Sequence, residues 1–272
     1  MHDELEAARI LAIRAGAILL EHYSKLAVHC KERGNPVTEA DRSASAFLVG
    51  KLNKLFPKDG ILSEEEPDDP DRLSKSRVWI INPLDGTMEF IHHQGEFAVM
   101  IGLSIDGTAS LGVIYQPTTE KLYYADSGSG AFVIENRETR LLQVTRESNP
   151  HSMTMALSRS HHSPNIDLVQ HNLDIHDTLR CGSLGLKVGL ICEGRAHLYL
   201  HTSRHTSQWD TCAPDVILHE AGGCMTDLWN GALRYNGPEV RNRRGVIASN
   251  GTIHNRIVDV AQSIMSERGT TW

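Results

Sequence analysis

The sequence predicts a layered fold of helices and sheets, in the α+β and α/β classes. Up to about residue 150, two amphipathic helices precede β-rich segments separated by turns, which predicts an antiparallel sheet. After that point strands alternate with helices, the pattern of α/β layering. We therefore divide the chain into an N-terminal half, residues 1–150, and a C-terminal half, residues 151–272, and expect the two to pack as one compact unit.

Two helices are predicted near the N-terminus. Apolar residues recur at helical spacing over residues 3–22, which predicts an amphipathic helix. A second helix is predicted from Ala40 to Leu55. It ends there because Pro57 disfavours the α conformation in the residue before it. This second helix places Asp41 in its first turn.

Strands are predicted from runs of apolar and β-branched residues. Residues 78–81 are apolar without alternation, which is typical of a strand covered on both faces. An antiparallel meander forming one sheet is predicted over 98–105, 110–116, 121–125 and 130–134. In the C-terminal half we predict strands at 153–158, 196–200 and 245–249, and helices at 167–173, 183–194, 209–223 and 254–266.

Composition excludes several classes of function. With 27 Lys+Arg and 34 Asp+Glu the net charge is −7, which argues against a protein that binds nucleic acid or a membrane surface through basic patches. No apolar run approaches the roughly 20 residues that span a bilayer. The N-terminus lacks the basic residues of a signal peptide, so we expect a cytoplasmic location.

The cysteines and histidines predict no metal or disulfide framework. The 5 cysteines include no CxxC pair, so we expect reduced thiols. His92 and His93 are adjacent and point in different directions on a helix end, so they cannot chelate one ion together. The histidines in the predicted loops are interpreted as scattered surface groups; they are His161, His162, His201 and His205.

Acids and hydroxyls occur where strands or loops meet helices, in SEEE at 63–66, IINPLDGTMEF at 80–90 and WDTCAPD at 209–215. In the second motif a buried strand delivers Asp85, and Gly86 allows a close backbone approach before Thr87 opens a short helix. Such a loop can supply a metal ligand and N–H donors for a phosphate. An ordinary turn with Thr87 as the helix cap explains the same residues.

Four motifs in order make the chain similar to the inositol monophosphatase-like, lithium-sensitive, Mg²⁺-dependent phosphatases: PVTEAD (36–41), LSEEE (62–66), NPLDGT (82–87) and WDTCAPDVILHEAGG (209–223). The resemblance covers nearly the whole chain and implies that family's α-β-α-β-α sandwich. The segments GTMEFIHHQGEFAVMIGLS, SRSH at 158–161 and SLGLK at 183–187 most resemble the 3′(2′),5′-bisphosphate nucleotidases. Inositol monophosphatases usually carry Thr and Asn in place of Met88 and Glu89.

The resemblance implies a site that holds two or three Mg²⁺ ions. The implied metal ligands are Glu64, Asn82, the Leu84 carbonyl, Asp85 and Asp210. The implied catalytic residues are Asp41, Thr87 and Glu64, with the Asp41 carboxylate accepting from the Thr87 hydroxyl and both holding the attacking water. The implied substrate-binding residues are Asp85, Gly86, Thr87, Met88, Lys187 and Asp210.

Basic residues that face the substrate in the family are harder to assign. Lys187 and Arg159 lie in segments that resemble the substrate-facing part of the C-terminal half, and Lys31 lies where a mobile loop over the site often carries a basic residue. Solvent-exposed helix or loop charges are the favoured explanation of Lys187 and Arg159.

Two positions depart from the family pattern. Asn82 stands where the family has an Asp that bridges two metals, and an amide lacks the charge and the second carboxylate oxygen. We therefore expect weaker binding of at least one Mg²⁺ and reduced activity. An engineered change is the favoured explanation because the other ligand positions are intact; the alternative is a natural relative that turns over slowly or has another role.

Met88 is the second departure. It replaces a Lys that is common in the nucleotidases, which we expect to weaken recognition of a second phosphate.

The predicted function is removal of the 3′-phosphate from adenosine 3′,5′-bisphosphate, giving AMP and phosphate. One alternative is the same hydrolysis of inositol monophosphate or another small sugar phosphate. Another is a non-catalytic protein that binds a phosphorylated ligand. In each case the partner is a small phosphorylated molecule, and the resemblance also implies homodimers as one state of assembly.

Overall fold

The computed structural model describes residues 1–29, 39–160 and 163–267, with side chains of the first helix described up to residue 25. Lys31, His161, His162, Cys30 and residues 36–38 of the first motif lie outside the described residues. The α-helices are α1 His2–His29, α2 Glu39–Leu55, α3 Thr87–Ile91, α4 Pro164–Leu173, α5 Leu184–Cys192, α6 Gln208–Glu220 and α7 His254–Glu267. Two 3-10 helices cover Pro70–Ser74 and Pro150–Ser152.

The first sheet has seven strands in the order β1-β2-β3-β4-β5-β6-β7: β1 Gly60–Ser63, β2 Arg77–Asp85, β3 Ala98–Ile105, β4 Thr108–Gln116, β5 Lys121–Asp126, β6 Ala131–Glu135 and β7 Glu138–Leu142. The predicted antiparallel meander is confirmed for β3 to β6. Two strands were not predicted: β1, which is only four residues long, and β7, whose side chains are exposed except at Leu142.

The second sheet has five strands in the order β11-β12-β10-β8-β9: β8 Thr154–Ser158, β9 Asp177–Cys181, β10 Leu198–His201, β11 Cys224–Thr226 and β12 Val246–Ser249. Strand β8 pairs in parallel with β9 and β10, while β12 is antiparallel to β10 and β11. The sequence did not predict β9 and β11, because β9 is largely polar and exposed and β11 has three residues.

The two sheets and their helices form five layers. Helices α1 and α2 pack on one face of the first sheet, where β2 contributes Trp79 and Ile81. Helices α5 and α6 lie between the sheets, and β2 contributes Val78 and Ile80 to that core. Helices α4 and α7 cover the outer face of the second sheet. The predicted α-β-α-β-α sandwich is confirmed, as is the burial of residues 78–81 on both faces.

Helix α1 is longer than predicted, reaching His29 rather than residue 22. The extra turns carry Tyr23, whose ring packs 5.2 Å from Phe90 and 5.0 Å from Phe97, centroid to centroid. The first helix therefore contacts the short helix α3 that follows the DGT loop.

Two glycines let α6 approach the first sheet closely. A Cβ on Gly102 would lie 2.6 Å from the Cys212 sulfur, and a Cβ on Gly112 would lie 2.4 Å from the Ala213 carbonyl oxygen. The helix that carries Asp210 thus packs directly on β3 and β4, with no side chain from the sheet between them at these two positions. A helix of the C-terminal half is in this way positioned by the sheet of the N-terminal half.

Replacing Gly112 should test this contact. A Gly112→Ala variant places a methyl group against the α6 backbone, so we expect unfolding to become easier by about 1–3 kcal/mol. Gly50→Ala is the matched control, because nothing lies within 4 Å of a Cβ at that helical position and alanine favours the helix. Urea unfolding measures both; equal stabilities for the two variants would contradict the proposed seating.

Candidate active site

The ends of two parallel strands bring the first acids together. Strand β1 pairs in parallel with β2, with Ser63 opposite Ile81, so Glu64 emerges at the same edge as the end of β2. The Glu64 amide continues this pairing by donating to the Ile81 carbonyl at 3.2 Å. The pairing of β2 with β3 shifts register between Asn82 and Asp85, which turns this segment out of the regular ladder.

Asp85 is held at the N-terminus of α5. Its Oδ2 accepts a hydrogen bond from the Ser183 hydroxyl and another from the Gly185 amide at 2.9 Å. The next residue, Gly86, has φ 95°, and a Cβ there would lie 2.8 Å from the Glu96 carbonyl oxygen, so only glycine fits. The DGT loop therefore approaches the backbone closely, as its sequence predicted.

Asp210 is held at the N-terminus of α6. Its Oδ2 accepts from the Ser207 amide at 2.7 Å, in a capping box. Its Oδ1 accepts from the Asn82 side-chain amide at 2.9 Å, and the Asn82 carbonyl oxygen accepts from the Leu84 amide at 3.1 Å. The NH₂ group and the carbonyl oxygen of the buried Asn82 side chain thus both form hydrogen bonds within the protein.

One cavity of about 410 Å³ collects the predicted residues. Its lining contains every residue that the sequence assigned to catalysis, metal or substrate: Asp41, Glu64, Asn82, Leu84, Asp85, Gly86, Thr87, Met88, Lys187 and Asp210. The structure brings these residues together from five separate segments. Their individual roles stay predictions.

The predicted pairing of Asp41 with Thr87 also stays a prediction. Asp41 lies in the first turn of α2 and is buried. The Thr87 hydroxyl donates to the Leu84 carbonyl at 3.3 Å. That contact keeps the hydroxyl at the start of α3, beside Gly86 and Asp85.

Lys187 and Arg159 differ in exposure: Lys187 is buried, whereas Arg159 is exposed, as the surface interpretation predicted, and pairs with Glu96. Lys187 is 2% exposed, and its ammonium donates to the carbonyls of Cys181, Gly182 and Ser183. Arg159 forms a two-pronged contact with Glu96, at 2.8 and 2.6 Å. Lys187 thus ties down the turn that presents Ser183, in addition to lining the cavity.

Crowding of the acids changes their proton affinity. Burial, followed by the charge of Asp85, raises the pKa of Asp210 to about 7. Burial also raises the pKa of Asp85, although Lys187 and the Ser183 hydroxyl oppose the shift. Burial and the charges of Asp210 and Asp85 raise the pKa of Glu64. Glu64 keeps the most access to solvent of the three, and water moderates its shift.

This donor set fits a divalent cation with hard oxygen ligands. Glu64, Asp85 and Asp210 offer carboxylates and Leu84 a carbonyl, which are the ligands Mg²⁺ prefers. Among the described residues lining the cavity, Lys187 is the one lysine or arginine; burial lowers its pKa, and three backbone carbonyls already accept from its side-chain nitrogen. A bound cation would relieve the repulsion that raises the pKa values of the acids.

The sequence missed several residues of this site. The interpretation as a loop residue was wrong for His201, which ends a strand and lines the cavity, whereas His205 lies in an exposed loop, as predicted, and also lines the cavity. His201 ends strand β10, and its ring nitrogens contact Tyr199 and Ser203 at 3.3 and 2.8 Å. The sequence carries no signal for it, because β10 belongs to the second sheet, whereas β1 and β2, which deliver Glu64 and Asp85, belong to the first.

Removing the Ser183 hydroxyl should weaken metal binding. This hydroxyl orients Asp85 and also caps α5 by accepting from the Leu186 amide. Partners that orient a metal ligand typically contribute about 10–100-fold to affinity, so we expect Ser183→Ala to lose that much Mg²⁺ affinity. Isothermal titration calorimetry measures it, with Ser110→Ala as the control; unchanged affinity in Ser183→Ala would contradict the assigned support.

Mg²⁺ binding should depend on pH. Without metal, the raised pKa values of Asp210 and Glu64 keep protons on the cluster near pH 7, and a metal must displace them. The apparent affinity should therefore rise as the pH rises from 6 to about 9, and binding should release protons. Calorimetry in two buffers of different ionisation enthalpy detects the release, which should diminish in Glu64→Gln. Binding without proton release would refute the crowding argument.

Comparisons with known proteins agree with this geometry. The sequence model of the inositol monophosphatase family matches residues 1–266. A 3′(2′),5′-bisphosphate nucleotidase CysQ of Aggregatibacter actinomycetemcomitans is 34% identical over 239 residues, covering 87% of each chain. A histidinol-phosphatase of Chlorobaculum parvum is 31% identical over 273 residues, covering 95% of this chain and 96% of the relative.

A solved structure shows the same fold. The IMPase of Thermotoga maritima has a TM-score of 0.80 at 26% identity, covering 97% of this chain and 99% of that one. The match of the family model over nearly the whole chain, together with the five layers and the acidic cavity, leads to one conclusion. The chain belongs to the inositol monophosphatase family.

Proposed function

We propose that this protein is a Mg²⁺-dependent phosphomonoesterase that removes the 3′-phosphate of adenosine 3′,5′-bisphosphate, with an activity that Asn82 reduces. The observation that carries the proposal is the convergence of Glu64, Asp85 and Asp210 beside the start of the DGT helix. Carboxylates for a metal and backbone N–H groups for a phosphate thus lie in one cavity.

The residues divide into a metal side and a phosphate side. Glu64, Asp85, Asp210 and the Leu84 carbonyl would hold Mg²⁺, which lowers the pKa of the attacking water and stabilises the leaving oxygen. The backbone of Gly86, Thr87 and Met88 binds the phosphate oxygens, because the first N–H groups of a helix lack acceptors within it. Asp41 and the Thr87 hydroxyl orient the water and take up its proton.

Sequence similarity supports the nucleotide as substrate. The CysQ relative is named as a 3′(2′),5′-bisphosphate nucleotidase, and the continuation of the DGT loop through Glu89 resembles that group. Glu89 is buried and accepts a hydrogen bond from the Ser160 hydroxyl, so it shapes the wall of the cavity. Inositol and sugar phosphates remain the alternative substrates, and the histidinol-phosphatase relative adds histidinol phosphate to the set worth testing.

Asn82 is the main reason to propose reduced turnover. Its amide donates to the Asp210 oxygen that would otherwise be free to coordinate a metal. Its own carbonyl oxygen is engaged by the Leu84 amide. A carboxylate at this position would add a charge and remove the donor, so we propose fewer bound Mg²⁺ ions than the two or three implied by the family resemblance. A protein that only binds its phosphorylated ligand would show ligand binding without turnover.

Phosphate release by the parent chain and by Asn82→Asp tests the proposal. We expect adenosine 3′,5′-bisphosphate to be hydrolysed faster than inositol 1-phosphate or histidinol phosphate, and Asn82→Asp to raise the rate at least about tenfold, the effect of about 1.4 kcal/mol. Gly50→Ala serves as the control because a Cβ at that position meets open space. Equal rates for the parent and the Asn82→Asp variant would refute impairment by Asn82.

Two other outcomes are informative. Preference for the inositol ester would replace the nucleotide by a sugar phosphate. Nucleotide binding in calorimetry without phosphate release, even in Asn82→Asp, would show a binding protein instead of an enzyme.

The predicted homodimer and cytoplasmic location remain predictions. In the described parts of the chain, no helix combines the length and apolarity that crossing a membrane requires.

A further inference from the structure

Three metal-ligating side chains meet on the surface of the C-terminal half. His151 lies in the 3-10 helix Pro150–Ser152, Asp174 follows α4, and His176 precedes β9. The His151 Nε2 lies 3.3 Å from Asp174 Oδ2, and the His176 Nε2 lies 3.1 Å from Asp174 Oδ1. One ligand atom from each residue falls within 4.8 Å of the other two.

These spacings match a small tetrahedral site. Zinc binds imidazole nitrogen and carboxylate oxygen at about 2.0–2.2 Å, so neighbouring ligands of a tetrahedral ion lie about 3.3–3.6 Å apart. The two nitrogen-to-oxygen distances, 3.3 and 3.1 Å, are within a few tenths of an ångström of this edge, and they reach the two different oxygens of the Asp174 carboxylate. The imidazole rings are 5.9 Å apart and nearly parallel, with an interplanar angle of 28°. The three ligand atoms lie within 4.8 Å of one another, so the exposed side chains must move closer together to bind one ion.

Local hydrogen bonds fix the backbone at two of the three ligands, Asp174 and His151. Asp174 has φ 59° and ψ 42°, and its amide donates to the Gln170 and His171 carbonyls at the end of α4. The 3-10 helix of His151 is capped by Asn149, whose side chain accepts from the His151 amide. The ligand set therefore joins two locally ordered turns that are separated in sequence by the whole of β8 and α4.

We infer that His151, Asp174 and His176 form a binding site for a divalent transition metal of the zinc class. Two imidazoles with one carboxylate favour such ions over Mg²⁺, which prefers oxygen ligands. All three side chains are exposed, with 56–70% of their surface accessible, so water completes the coordination. None of the three lines the acidic cavity, so this site is separate from the proposed phosphatase site.

Metal binding here would link the segment before β8 to the turn between α4 and β9. Since β8 and β9 are neighbours in the second sheet, this link would stabilise that sheet at one end. The predicted effect is therefore on stability, by linkage of metal binding to folding, and not on the chemistry in the cavity.

Zinc stoichiometry tests the inference on the full chain. Metal-stripped protein is titrated with Zn²⁺ in calorimetry, and the His151→Ala/His176→Ala double variant should bind one equivalent less than the parent. Zn²⁺ should also raise the melting temperature of the parent more than that of the double variant. Asp174→Asn keeps a residue that tolerates its backbone conformation and should lose the same equivalent. His219→Ala, an exposed histidine on α6, is the control and should keep it.

Cobalt gives a second readout. Co²⁺ bound by nitrogen ligands in a four-coordinate site absorbs visible light far more strongly than Co²⁺ among six oxygens, so the acidic cavity contributes little to the signal. The parent should show this absorption and the double variant should not. Equal zinc stoichiometry and equal Co²⁺ spectra in the two proteins would overturn the inference. Neither readout requires phosphatase activity, so failure of the proposed function leaves this test intact.

Discussion

The structure depends on keeping several mutually repelling carboxylates together before any cation binds. Asp85 and Asp210 achieve this at the N-termini of α5 and α6, where a hydroxyl or amide donors and the helix dipole favour negative charge. Glu64 reaches the same point because β1 and β2 run in parallel and end at one edge. The close seating of α6 on Gly102 and Gly112 then fixes the distance between the two halves of the cluster. Most of the fold near the cavity can be understood as support for this arrangement.

Asn82 changes the balance within the cluster without disturbing its scaffold. Its amide satisfies one oxygen of Asp210 by a hydrogen bond, which lowers the pKa of Asp210 relative to an unpaired acid. The residue thus takes over part of the neutralising role that a metal ion would have. This hydrogen bond is consistent with the proposed metal ligands keeping their positions around Asn82, and it is why we expect binding to survive better than turnover.

Apolar patterns predicted the helices and the central strands, because those patterns are long and regular, while the layer order was implied by the family resemblance. Sequence alone missed β1, β7, β9 and β11, which are short or largely polar, so that pairing with neighbours, and not local pattern, determines them. It assembled the cavity from a family resemblance, since the chain separates Asp41 from Asp210 by most of its length. It could not predict that Ser183 orients Asp85, that Lys187 is buried on three carbonyls, or that His201 lines the cavity. The contact of Ser183 with Asp85 arises only when the C-terminal half packs on the first sheet, and the Lys187 contacts depend on the turn before α5.

The central claim is that the Asn82 amide occupies a carboxylate oxygen that would otherwise bind metal. Crystals of the parent and of Asn82→Asp, soaked with Mn²⁺ and measured for anomalous scattering, test it most directly. We predict at least one fewer ion in the parent, with the Asn82 nitrogen still hydrogen-bonded to Asp210. The same number of ions in both crystals, with the Asn82 oxygen turned onto a metal, would contradict it.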